Sequence, residues 1–120
     1  MPFSVKHKFS GNLRKDRDPW PNDAFKDLYS EITSRLESEE GVLLYSSEVQ
    51  KAFREIHWMW RKIEVYHARN STIVIDRTTK EESSTTIEVE VKVAGELEKK
   101  LQPELEELFG RYTLHPPYKK

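Results

Sequence analysis

Residues 54–70 read REIHWMWRKIEVYHARN. This stretch holds two tryptophans, two histidines, one tyrosine and four basic side chains, and it would make about five turns as a helix. A stretch with so many aromatic and basic side chains is either a core helix with basic side chains on its outer side or a surface that binds a partner. The fold predicted for the whole chain depends on which of the two is correct.

A helical projection of residues 48–69 at about 100° per residue gives an amphipathic pattern. One broad sector is apolar, with His67 among its members: Val49, Ala52, Phe53, Ile56, Met59, Trp60, Ile63 and Tyr66. The opposite side is mostly basic and aromatic: Lys51, Arg54, His57, Trp58, Arg61, Lys62, Val65 and Arg69. The projection therefore predicts a long helix with Trp60 in the core and Trp58 exposed among cations.

The segments before this stretch predict a strand and a helix. Residues 3–9 alternate between polar side chains and apolar or aromatic ones, which is typical of a half-buried strand. A loop-like segment follows, and a stripe at helical spacing then predicts a helix that ends near Gly41. The stripe consists of Phe25, Leu28, Tyr29, Ile32 and Leu36. The apolar run VLLY at residues 42–45 fits either a short buried strand or a packed connector.

The segments after it predict a β-hairpin and a last helix. Residues 71–77 and 85–93 have the composition of strands, and the polar segment between them favours antiparallel pairing. Leucines at helical spacing then predict a helix that Pro103 either kinks or divides. These elements predict one α+β domain at residues 1–110 and a basic, proline-containing tail at 111–120. We expect this domain to contain a small antiparallel sheet of about three strands, covered on one face by three helices, with the elements in the order β-α-α-β-β-α.

Composition narrows the class of protein. The chain has 120 residues and no cysteine, which excludes disulfides and cysteine-bound metals. It shows no apolar run near the ~18 residues of a membrane span and no signal-peptide core. We therefore expect an intracellular protein, cytoplasmic or nuclear, that makes no contact with membranes.

Catalytic and metal-binding patterns are absent from the sequence. It contains no glycine-rich phosphate loop, no nucleophile elbow and no His-x-His pair. Glu64 and His67 form a single Glu-x-x-His, whereas carboxylate-bridged di-metal sites use two such motifs. We expect no metal and no cofactor, and a non-catalytic protein unless a catalytic pocket exists that carries no motif.

The binding hypothesis rests on the basic and aromatic side of the predicted helix. An exposed tryptophan among arginines is typical of interface hot spots. The predicted partner-binding residues are Arg54, His57, Trp58, Arg61, Lys62 and Arg69. The partner is a protein, with a second copy of the chain as one possibility, and the net charge of −1 favours this interpretation.

RNA or single-stranded DNA is the alternative partner. The same face offers stacking and phosphate contacts, and the basic N-terminal segment adds further cations. The possible nucleic-acid contacts there are Lys6, Lys8, Arg14, Lys15 and Arg17.

Overall fold

The computed structural model of the protein describes residues 1–12, 20–53, 57–81 and 84–114, with side chains at 1–10, 23–50, 58–81 and 86–112. The elements in these residues are β1 (Phe3–Asn12), α1 (Trp20–Ser38), β2 (Val42–Phe53), β3 (His57–Ala68), β4 (Ser71–Glu81), β5 (Ser84–Gly95) and α2 (Glu98–Leu114). The strands form one sheet in the order β1-β5-β4-β3-β2, and all neighbours are antiparallel. β1 and β2 are therefore the two edges.

The predicted architecture of three strands and three helices, in the order β-α-α-β-β-α, is wrong. The described residues form a five-stranded sheet with two helices, in the order β-α-β-β-β-β-α. The error lies in residues 42–69, which belong mainly to the strands β2 and β3 and not to a connector and a long helix.

The reason for this error is that both faces of β3 carry apolar or aromatic side chains. Trp60 pairs with Thr79, and Ile63 pairs with Asp76 on the opposite face. Hydrophobicity therefore does not alternate along the strand, and a helical projection gathers enough apolar residues on one side to resemble a helix. The content of β-branched and aromatic residues favours a strand, and the long-range pairing decides the outcome.

The other predicted elements are present. Residues 3–9 lie in β1, the predicted first helix corresponds to α1, and the predicted hairpin is formed by β4 and β5. The last helix runs continuously through Pro103 to Leu114, so residues 111–114 are helical and the rest of the predicted tail lies outside the described residues. The limits of the single domain remain a prediction.

The core lies between the two helices and one part of the sheet. Both helices pack against β1 and β5, on what we call the inner face of the sheet, and the opposite side is the outer face. The sheet contributes Phe9, Ile73, Ile75, Ile87, Val89, Val91 and Val93 to the buried cluster. The helices contribute among others Leu28, Ile32, Leu36, Leu101, Leu105 and Leu108.

This arrangement leaves β2 beyond the helices. No residue of β2 whose side chain is described, at 42–50, is buried. Neither helix in the described part of the chain is long and apolar enough to cross a membrane.

Candidate functional site

The predicted partner-binding residues do not share one surface. Trp58 and Lys62 lie on the inner face of β3, because they pair across the sheet in phase with buried Ile73 and Ile75. Arg61 lies on the outer face, and Arg69 is in the turn between β3 and β4. The single helical face predicted for these residues is therefore not formed.

Two further residues of that prediction cannot be compared with the structure. Arg54 lies outside the described residues, and the side chain of His57 at the start of β3 is likewise outside them. Whether any of the predicted residues binds a partner stays a prediction.

Two of the predicted cations are held by acidic neighbours. Arg61 donates to Asp76 on β4 from Nε and Nη2, at 3.1 and 2.8 Å. Arg69 contacts the carboxylates of Glu39 at 2.9 Å and Glu40 at 3.3 Å. These contacts tie the β3–β4 region together and join the turn to the end of α1, so both arginines have structural contacts.

Of the five predicted nucleic-acid contacts, two lie on β1 and three lie outside the described residues. Lys6 and Lys8 are exposed on the outer face of β1, opposite Glu90 and Glu88 of β5. The three others, Arg14, Lys15 and Arg17, lie outside the described residues. Alternating charges of both signs at this end of the sheet do not form a basic patch.

Trp58 and Trp60 lie side by side on the inner face. Residues two apart on a strand point the same way, and the two rings stack with centroids 6.0 Å apart and planes 19° apart. Trp58 is 42% exposed. The predicted exposure of Trp58 is thus observed, but Trp60 is its stacking neighbour and is only partly buried.

A buried carboxylate follows the tryptophans along β3. Glu64 is 6% exposed, and the hydroxyl of Tyr29 on α1 donates to it at 2.9 Å from either oxygen. Burial, followed by the contacts with Tyr66 and Glu64, raises the pKa of Tyr29 far above its usual range. The phenol therefore remains a hydrogen-bond donor and links α1 to β3.

Arg77 connects this region to β2. Its guanidinium lies 5.3 Å from the ring centre of Phe25 on α1, and it contacts Glu48 on β2 at 3.4 Å. Its buried Nε has no hydrogen-bond partner among the described residues. Arg77 thus bridges from the helix layer to the edge strand.

The exposed apolar side chains are concentrated on the edge strand β2. Apart from Met1, the large hydrophobic side chains exposed in the described residues lie on β2 and β3. We define the β2 patch as Val42, Leu43, Leu44, Tyr45 and Val49, whose exposed fractions range from 46% to 65%. The remaining exposed hydrophobic side chain, Trp58, lies on β3 and is not part of the β2 patch.

The β2 patch extends over both faces of the sheet. Leu43 pairs with Tyr66 and lies on the inner face, whereas Tyr45 and Val49 pair with Val65 and Arg61 and lie on the outer face. The pairing shifts between Leu43 and Tyr45, which is a β-bulge or a related irregularity. The sequence predicts VLLY to be buried or packed and Val49 to be in the core, so this surface is missed without the sheet order.

The apolar surface continues on the outer face across the sheet. Tyr45 pairs with Val65, and Val65 pairs with Val74 on β4. Val65 and Val74 are partly exposed, so apolar side chains of three neighbouring strands form one row. The β2 patch is therefore the exposed end of a larger apolar surface.

The opposite edge of the sheet is different. The outward-facing side chains of β1 are Ser4, Lys6, Lys8 and Ser10. Lysines on an edge strand oppose pairing with another chain, and both helices also pack against β1. β1 is thus protected against pairing, whereas the described side chains of β2, at residues 42–50, include no lysine and neither helix packs closely on that strand.

The described residues do not form a metal-binding cluster. No group of three His, Asp or Glu side chains in them is arranged to hold a metal ion. A shallow depression on the outer face is lined by charged side chains of β1, β4 and β5, among them Lys6, Asp76 and Glu90. It is open to solvent and offers no enclosed pair of carboxylates.

Comparisons with known proteins do not assign a family. No family model and no curated protein matches the chain. One solved structure that is similar is an (R)-hydratase from A. caviae involved in PHA biosynthesis, at 15% identity over 78% of this chain and 96% of that chain. The TM-score is 0.24, which is too low to transfer either a fold or an activity.

Proposed function

We propose that this protein is a non-catalytic binding module that engages a protein partner through the β2 edge of its sheet. The observation that supports this most strongly is the concentration of exposed apolar side chains on β2 and at Trp58. Contiguous apolar surface on a small protein is typical of an interaction site. Covering it stabilises a complex by roughly 25 cal/mol for each Å² removed from water.

The backbone of β2 supports the same proposal. An edge strand presents unpaired N–H and C=O groups that accept a strand from another chain. Backbone pairing then supplies affinity, and the β2 patch supplies side-chain contacts on both faces. Trp58 and Lys62 lie on the inner face of the neighbouring strand β3, where they can contribute to the same interface.

The test compares two variants that each place a carboxylate on an edge strand. Val49→Glu changes an exposed residue of β2, and Ser4→Glu is the matched control on β1. Immobilised wild-type protein and each variant are exposed to nuclease-treated lysate of the source organism, and the captured proteins are quantified by mass spectrometry. We expect Val49→Glu to lose the partners that wild type and Ser4→Glu retain. Equal capture by all three folded proteins would contradict the proposal.

Single-stranded nucleic acid is a second candidate, favoured by the stacked Trp58–Trp60 pair. An aromatic platform of this kind suits base stacking, which is worth about 1–3 kcal/mol per base. Lys62 is on the same face, whereas Lys6 and Lys8 are on the outer face and at the far end of the sheet. Among the side chains that the structure describes, a short basic track accompanies the platform, so we rank this candidate second.

Tryptophan fluorescence with a single-stranded oligonucleotide separates the two candidates. Binding on the platform predicts quenching, a loss of about 1–3 kcal/mol of affinity in Trp58→Ala, and a salt slope that decreases by roughly 0.7 in Lys62→Gln. An absence of quenching at low salt removes this candidate and leaves the protein-binding proposal intact.

A further inference from the structure

We propose that the partner of the β2 edge is a second copy of this chain, whose β2 pairs antiparallel with it about a twofold axis at Val49. This inference rests on the proposed function, because it names the occupant of the same edge. Pairing of this kind would join two five-stranded sheets into one continuous sheet.

The distribution of the β2 patch favours an added strand over a partner that packs on one face. Leu43 is exposed on the inner face, and Tyr45 and Val49 are exposed on the outer face. A partner lying on one face covers only one of these sets. A strand added at the edge brings side chains against both.

The geometry of a twofold axis restricts the register. With the axis perpendicular to the sheet, residues paired across it must lie on the same face of their own strand. β2 pairs with β3 in a regular register from Tyr45 to Phe53, after the irregularity at Leu43/Tyr45. Val49 is the midpoint of that segment, so an axis at Val49 pairs the whole regular segment with its copy.

The charge pattern of β2 agrees with this register. An axis at Val49 places Gln50 of each copy opposite Glu48 of the other, and an amide N–H is a good donor to a carboxylate. An axis at Glu48 would instead place the two Glu48 carboxylates opposite each other, and directly opposed like charges are destabilising. The pattern of residues therefore favours Val49 over its neighbour.

The side chain of Val49 is also accessible for this contact. It is 60% exposed, and its neighbour on β3 is Arg61. The guanidinium of Arg61 is directed to Asp76 on β4, which lies on the far side of β3 from β2. The long arginine side chain thus leaves the outer surface of Val49 uncovered.

The other edge of the sheet does not have this complementarity. An axis at His7, near the middle of β1, would place Lys6 opposite Lys8. An axis at Lys8 would place that lysine opposite its own copy. Self-association through β1 is therefore opposed by charge, whereas self-association through β2 is not.

The size of the interface sets the expected strength. A standard interface buries about 800 Å² on each partner, and one strand against another lies at the low end of the range. We therefore expect reversible self-association, with the fraction of dimer increasing with protein concentration.

Site-directed disulfide formation tests the register. The chain has no cysteine, so a single introduced one can form a disulfide only between two copies. Val49→Cys would place two thiols opposite each other, with Cβ atoms about 4.5–5.5 Å apart, close to what a disulfide needs. Val42→Cys is the matched control, because Val42 lies on the same strand and face with 59% exposure but away from the axis.

We expect Val49→Cys to form covalent dimers at least about tenfold faster than Val42→Cys under mild oxidation, because pairing raises the local thiol concentration. Sedimentation velocity should show a wild-type dimer at high concentration, which Ser4→Glu retains and Val49→Glu loses. Equal oxidation rates together with a monomeric wild type would overturn the second copy as partner. That result leaves the proposed function standing, which fails separately if Val49→Glu captures every partner that wild type captures.

Discussion

At the scale of single residues, Glu64 shows how a charged group is accommodated beside the core. Its carboxylate is 6% exposed and accepts from Tyr29 at 2.9 Å, with Tyr66 at 3.5 Å as a longer contact. A buried carboxylate without donors is strongly unfavourable, so the Tyr29 hydroxyl stabilises the folded state. The pair also fixes α1 relative to β3, next to the surface that we propose to bind a partner.

Tyr29→Phe removes this hydroxyl and retains the ring. We expect the free energy of unfolding at neutral pH to decrease by roughly 1–3 kcal/mol, because the buried carboxylate loses its closest donor. Urea denaturation measures the change. In a Glu64→Gln background the same substitution should have a smaller effect. Equal effects in both backgrounds would show that the hydrogen bond to the carboxylate is not the cause.

Tyr29 also predicts how stability depends on pH. Burial, with Tyr66 and Glu64 nearby, raises the pKa of its phenol above the ordinary value near 10. Above about pH 10 the unfolded chain has lost this proton while the folded protein retains it, so stability falls as pH rises. Below that pH the phenol makes no contribution to the slope. Denaturation between about pH 9 and 11 should show a steeper loss in wild type than in Tyr29→Phe; parallel curves would contradict this.

At the scale of elements, the end of α1 contains a residue in an unfavourable backbone conformation. Glu40 has φ of 62°, in the left-handed region that favours glycine. The amide of Gly41 then donates to the carbonyl of Leu36 at 2.7 Å, which closes the helix. A Cβ on Gly41 would lie 2.9 Å from that carbonyl oxygen, so the glycine directly after Glu40 is required by the close approach.

Glu40→Gly should stabilise the protein by roughly 0.5–1 kcal/mol, because glycine adopts the left-handed conformation without the steric penalty. The described contact of the Glu40 side chain is an exposed ion pair with Arg69, which contributes little. Glu37→Gly is the matched control: the same replacement inside the helix should destabilise by about 1 kcal/mol. Thermal or urea denaturation that gives both changes the same sign would contradict the assignment of the helix end.

The strand β3 makes a second prediction at this scale. Trp58 and Trp60 stack on one face, so their energetic contributions should be coupled by about 0.5–1.5 kcal/mol. A double-mutant cycle of Trp58→Ala and Trp60→Ala measures this coupling. In a helix, residues two apart point in different directions, and the coupling would be close to zero.

The sequence predicts most elements correctly, but the prediction fails for β2 and β3, whose hydrophobic pattern depends on which strands the helices cover. β1, α1, the β4–β5 hairpin and α2 each show one apolar face in sequence, because one face of each packs against the core. β3 carries apolar side chains on both faces, and the turn to β4 is made by Arg69 and Asn70, both with positive φ, without a glycine to mark it. The sequences of the antiparallel strands β2 and β3 therefore resemble those of a connector and a helix.

The candidate site is still harder to predict. The sequence identifies Trp58 as exposed, which is correct, but it also places Arg61 on the face of Trp58, whereas Arg61 lies on the opposite face of β3. The apolar residues of VLLY have the composition of a buried segment. They are exposed because β2 is an edge strand beyond the two helices. Residue type alone does not show which strand of a sheet is at the edge.

At the scale of the whole molecule, helices and sheet do not match in width. The two helices cover β1 and β5, while β2 and part of β3 extend past them. On the outer face, β1 and β5 carry alternating charges, whereas β2 to β4 carry the apolar row of Tyr45, Val65 and Val74 beside the Arg61–Asp76 ion pair. This polarity along the sheet is the physical basis of the proposal that β2 accepts a partner strand.

Hydrogen exchange of the β2 amides tests this proposal most directly. In an open edge strand, amides directed at β3 are protected and the alternate amides, directed at solvent, exchange rapidly. We expect this alternation in dilute wild-type protein, and we expect the rapid amides around Val49 to become protected at high concentration or with a captured partner. Val49→Glu should keep the alternation throughout. Uniform protection of β2 in the dilute protein, or no change on binding, would contradict the account.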